Sequence, residues 1–222
     1  IQSGLSEQRI TQALSYVDDM VAAGNDDGAA EALALLLAEK PDHPGILSRT
    51  VKIYRQLEQE DVAEELELRL ADVLRDHGRH DEALHLLESR LEKEPEDLHA
   101  KLQVGRILGS KGEKGKAIAM LREVEEMALQ FMEEERALEA VKAICRLDPH
   151  QWEEREREVE MLWAMGQRKE ARSRLGALVS DFESEEMNDR LITFLESHLN
   201  RDPDYLPAIE AVSRAYDRIG DR

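Results

Sequence analysis

Between Ala83 and Leu91 the apolar side chains fall at 83, 84, 87 and 91, three and four apart. That is the spacing of one face of an α-helix. Similar runs recur along the whole chain, separated by short stretches holding glycine or proline. Four prolines, Pro41, Pro95, Pro149 and Pro203, end such runs, and they are evenly spaced along the chain. Proline cannot continue a helix interior, so each marks a stop.

Superposing the stretches that these prolines close, 42–95, 96–149 and 150–203, tests the period. Ala63, Ala117 and Ala171 fall in one column, and Leu70, Val124 and Leu178 in another. Leu33, Leu87, Val141 and Leu195 form a third, and Ile53, Ile107 and Met161 a fourth. Each copy then predicts three helices. Helix A covers about 44–58, 98–111, 152–165 and 206–219. Helix B covers about 5–23, 61–77, 115–131 and 169–182. Helix C covers about 26–40, 80–94, 134–147 and 186–200. Gly24, Gly78, Gly112 and Gly166 stand at helix ends, where glycine adopts the left-handed conformation most cheaply. Linkers of two to five residues predict antiparallel neighbours. The expected domain is 1–222, with a partial unit 1–41, units 42–95, 96–149 and 150–203, and a partial unit 204–222. We expect it to be a segment of a longer protein.

Several helix pairs resemble tetratricopeptide repeats, which are 34-residue helix–turn–helix units. Residues 98–131 match through Val104-Gly105, Leu108, Ala117, Leu121 and Val124. Residues 64–97 match through Leu70-Ala71, Leu74, Ala83, Leu87 and Pro95, and residues 152–185 through Val159, Leu162, Ala171 and Leu175. The resemblance implies an all-α fold, a right-handed α-solenoid of antiparallel hairpins, and a role in binding proteins. The period departs from the family's, because one helix is shared or added per unit to give a three-helix super-repeat.

Composition narrows the partners. Of 222 residues 36% are charged, 41% apolar and 4% aromatic, and the net charge is −19. Such a chain repels polyanions, so nucleic acid and anionic membrane surfaces are poor partners. The single cysteine, Cys145, rules out an intramolecular disulfide. No apolar run is long enough to insert in a membrane. We expect a soluble chain, and the sequence leaves its compartment open between the cytoplasm and a periplasmic or membrane-anchored parent.

Candidate chemistry is sparse. His77, His80 and His85 lie among carboxylates, yet they align with Phe131 and Glu185, Glu134 and Asn188, and Glu139 and Thr193. Since no other copy keeps them, they are expected to decorate a hairpin, and no metal is assigned. Cys145 shares a column with Leu91 and Leu199 and is expected in the core. The run Gly109–Lys116 lacks the spacing of a phosphate-binding loop. Neither catalytic residues nor a cofactor are assigned.

Two aromatics break their columns. Trp163 aligns with Arg55, Gly109 and Asp217, and Phe131 with His77 and Glu185, so packing does not demand them. Both are candidate anchors for a partner. Some tetratricopeptide domains grip terminal carboxylates from the first helices' inner face. The corresponding positions here are His99, Leu102 and Arg106, then Glu153, Glu156 and Glu160, so that clamp pattern is absent. The three glutamates favour a basic partner. The expected function is a non-catalytic scaffold for a protein or peptide. The alternatives are self-assembly through the array ends and a docking segment of a larger enzyme.

Overall fold

The computed structural model describes residues 6–220. Leu5, the start of the first expected helix, and the extreme ends of the expected domain lie outside them. Among the described residues the regular structure is twelve α-helices. They are α1 Glu7–Ala22, α2 Asp26–Glu39, α3 Pro44–Gln56, α4 Glu60–Asp76, α5 His80–Lys93 and α6 Leu98–Ser110. They continue as α7 Lys114–Gln130, α8 Glu134–Leu147, α9 Trp152–Ala164, α10 Arg168–Ser184, α11 Asn188–Leu199 and α12 Leu206–Ile219. Every helix expected from the sequence is present, and each end expected among the described residues falls within two residues of its place.

The repeat carries two kinds of turn. In the first, a residue of positive φ closes the helix. Such residues are Gly24, Glu58, Gly78, Gly112, Met132, Gly166, Glu186 and Gly220. Their separations alternate between a long step, as from Gly24 to Glu58, and a short one, as from Glu58 to Gly78. The long step is the length of a tetratricopeptide hairpin, and the short one is the added helix. The hydrogen bonds are those of a Schellman closure: Gly78 N donates to Arg75 O at 2.9 Å, and Arg79 N to Leu74 O at 2.8 Å. In the second kind of turn proline follows the last helical residue. Lys40, before Pro41, is pushed to φ −136° and ψ 74°. The next helix is then capped by a side chain, as where Asp97 accepts from Ala100 N at 2.9 Å.

Glu58, Met132 and Glu186 hold the left-handed conformation without being glycine. A side chain there costs about 1–2 kcal/mol. Met132→Gly is therefore expected to stabilise the fold by about 1 kcal/mol. A urea midpoint unchanged or lowered by this substitution would contradict that account of the turn.

Packing divides the chain into two compact units, Ile1–Met120 and Leu121–Arg222, with the division inside α7. In the first unit each of α1 to α5 packs on its successor, and α4 also reaches α6. In the second, each of α8 to α11 packs on its successor, and α10 also reaches α12. Short linkers make these neighbours antiparallel. The result is an all-α, tetratricopeptide-like array of helical hairpins. Next-but-one helices are tied by side chains: Arg49 forks onto Asp18 at 2.8 and 2.7 Å in the first unit. Arg157 reaches Glu125 at 2.7 Å in the second.

Three of the four columns are buried throughout, and in the fourth Ile53 and Ile107 are buried while Met161 is half-buried. Ala63, Ala117 and Ala171 are wholly buried, as are Leu33, Leu87, Val141 and Leu195. In the first unit Ile10, Leu33 and Ile53 belong to one cluster, and Leu74, Leu87 and Ile107 to another. In the second, Val159, Leu178, Phe182, Leu195 and Ala211 pack together. Small alanines at the crossings let the helices approach closely, and the larger residues fill the space between.

Candidate functional site

On α9, Glu153, Glu156, Glu160 and Trp163 are spaced by three, four and three residues, so they share one face of the helix. Side chains of α11 reach that face. Arg190 forks onto Glu156 with bonds of 2.6 and 3.0 Å. The ring of His198 meets Trp163 edge to face, with centroids 4.8 Å apart. Arg168, at the start of α10, holds its guanidinium 5.9 Å from the Trp163 ring centre. Such edge-on and cation–π contacts fix the plane of an indole.

Trp163 is thus half-buried, and its remaining surface lines a groove of about 490 Å³. Arg157, Glu160, Met161, Ala164 and Arg201 complete the lining. The local charge differs from the acidic stripe the sequence suggests. Glu156 is paired with Arg190, and Arg157, Arg168 and Arg201 stand around the tryptophan against Glu160. Glu153 and Glu160 remain exposed.

His198 explains why an aromatic is tolerated at position 163. It is 2% exposed and shares a column with Leu36, Arg90 and Ile144, of which Leu36 and Ile144 are buried. Burial pushes its pKa down, and its Nε2 makes no hydrogen bond among the described residues. A neutral ring packed on Trp163 stands where those two copies place an aliphatic side chain. The column is compatible with a buried His198; that it touches Trp163 needs the register of α9 against α11.

The other candidates lie elsewhere. His99 and Arg106 are half-buried on α6, in the first unit, and both are engaged in interactions. His99 lines a groove of about 430 Å³ with Asp61, Glu64, Glu65, Arg69 and Asp72. Leu102, on the same helix, is core. Phe131 stands on the turn after α7 and is 50% exposed, beside exposed Leu129 and Met132. Trp152 packs on Phe182, with ring centroids 5.4 Å apart. Cys145 is half-buried rather than fully enclosed. Of the histidine group on the α4–α5 hairpin, His77 ends α4 by donating from Nδ1 to the Val73 carbonyl at 2.7 Å. His80 begins α5.

Among the described residues no helix is long and apolar enough to cross a membrane. No family model matches the chain, and no curated protein matches it. Solved structures do. The C-terminal part of a TPR repeat-containing protein from Cytophaga hutchinsonii is 16% identical, with a TM-score of 0.33, covering 92% of this chain and 94% of that one. A tetratricopeptide repeat protein from Parabacteroides merdae is 12% identical, with a TM-score of 0.28 and coverage of 92% and 98%. YrrB, described as a TPR protein with an unusual peptide-binding site, is 14% identical, with a TM-score of 0.27 and coverage of 90% and 89%.

Proposed function

We propose that the chain is a non-catalytic scaffold for protein–protein interaction, with the groove at Trp163 taking an apolar side chain of a protein or peptide partner. The observation that carries this is a tryptophan fixed by His198 and Arg168 yet open to a groove on one side. A rigid aromatic at a concave surface gains contact area without losing rotamer freedom on binding. The carboxylates around His99 suit a basic segment of a partner, as the chain's net charge of −19 does.

Trp163→Ala is expected to remove about 2 kcal/mol of binding, roughly thirtyfold in affinity. Quantitative affinity capture at two salt concentrations, with helicity followed by circular dichroism, checks this. Equal recovery by the folded variant would remove Trp163 as an anchor. Self-association is the second reading, and one observation favours it: α12 exposes Leu206, Ile209 and Ile219. Mass by light scattering across a concentration series separates the two.

A further inference from the structure

Between α8, α9 and α10 lies a cavity of about 300 Å³. Four of its lining positions are Cys145, Glu158, Arg174 and Asp181. The other copies of the repeat act as controls for them. The equivalent positions one copy earlier are Leu91, Val104, Met120 and Met127, and one copy earlier again Leu37, Thr50, Leu66 and Val73. Seven of those eight are apolar, and the hydroxyl of Thr50 donates to its own helix, to Ile46 O at 2.9 Å. At these four positions, therefore, two copies carry apolar side chains with one exception, and the third carries polar ones.

Packing does not require this change. Glu158 is 5% exposed, where the sister positions bury a valine or a threonine. Burying a carboxylate is unfavourable unless charges compensate it. Arg174 supplies one at 3.1 Å from Glu158 Oε1. The cavity, however, holds more cations than that pairing needs. Lys142, Arg146 and Arg155 also line it, so four cations face two lining carboxylates, with Glu170 beside Lys142 and Arg174, in a chain whose net charge is −19. Arg155 bonds Asp181 at 2.5 Å and Lys142 bonds Glu170 at 2.9 Å. Arg146 makes no ion pair or hydrogen bond among the described residues. Burial and the neighbouring Glu158 push the Cys145 thiol up to about 12, so it stays protonated, a weak donor at the wall.

We propose that this cavity is a binding site for a small oxyanion, a phosphate or a carboxylate, held by Arg146, Arg155, Arg174 and Lys142. Guanidinium groups present paired N–H donors that match the oxygen spacing of either group. The volume is that of a small-molecule pocket at the lower end of its range. Glu158 and Asp181 hold Arg174 and Arg155 in place before the ligand arrives.

Titration calorimetry of the whole chain with inorganic phosphate, and separately with citrate, tests this against sodium chloride at matched ionic strength. One-to-one saturable binding of at least one of them is expected, and which one binds identifies the oxyanion. Arg146→Ala, at an exposed position that leaves the fold intact, is expected to weaken it roughly tenfold. The double variant Glu158→Val with Arg174→Met, which restores the second copy's residues, is expected to abolish it. Loss in the double variant alone supports the cavity and removes Arg146 from the site. No saturable binding up to on the order of 10 mM, or binding that both variants retain in full, overturns the proposal.

Discussion

Phe182→Ala is expected to destabilise the second unit by about 3–5 kcal/mol, the range for emptying an aromatic from a packed core. Phe182 is wholly buried and is the largest such side chain described. It sits on α10 where the other copies place Met20, Leu74 and Ala128, so it fills its column more fully than they do. Trp152 lies against its ring, and Arg190 holds its guanidinium 5.9 Å from the ring centre. Leu191, Leu195 and Ala211 belong to the same cluster, which ties α10 to α11 and α12. Losing the ring leaves a void that those helices, joined by short turns, cannot close. A urea midpoint measured by circular dichroism reads the loss. Amide exchange in α10 to α12 shows where it falls, because helical arrays lose neighbouring helices before distant ones. A change below about 1 kcal/mol would mean that the cluster collapses onto the gap.

The second large effect concerns the charged positions of the third copy. Arg174→Met leaves Glu158 buried with its nearest compensating charge removed. Breaking a buried pair by removing one partner costs about 3–5 kcal/mol. Arg174 is itself half-exposed, so about 2 kcal/mol is expected here. Adding Glu158→Val is expected to recover that loss and to exceed the parent by about 1 kcal/mol, since hydrocarbon replaces a desolvated pair. Comparing urea midpoints of the parent, single and double variants measures both steps. A single variant as stable as the parent would show that water, not Arg174, compensates Glu158.

Most of the fold was legible in the sequence. In the three full copies Ala63, Leu70 and Leu87 head columns whose members are all buried, and the four prolines stand where four helices stop. Packing reads as repetition because the same space must be filled each time. The candidate site was legible only in part. Trp163 stood out by breaking its column, but the arginines around it did not. Arg168, Arg190 and Arg201 come from α10, α11 and the turn that follows, and a surface arginine carries no spacing signal of its own. On α9 the three glutamates were legible, but that Arg190 pairs with Glu156 was not, for the same reason. A helix shows which residues share a face, and not which cation on another helix answers them. Cys145 was misleading in another way. Its column is apolar, yet the positions facing it have changed to Glu158, Arg174 and Asp181, so the column keeps its place and loses its filling.

Three helices to a repeat is an odd number, and that has a geometric consequence. Antiparallel neighbours reverse direction at every turn, so helices three apart run opposite ways. In the first unit α3 and α6 hold equivalent positions and run in opposite directions, as α9 and α12 do in the second. Equivalent residues of adjacent copies therefore emerge at opposite edges of their unit, and a charge or aromatic duplicated with the repeat cannot extend into a continuous row along one edge. Duplication of a three-helix unit copies the inside of such a molecule faithfully while scattering its outside. Each copy is left to acquire a surface of its own.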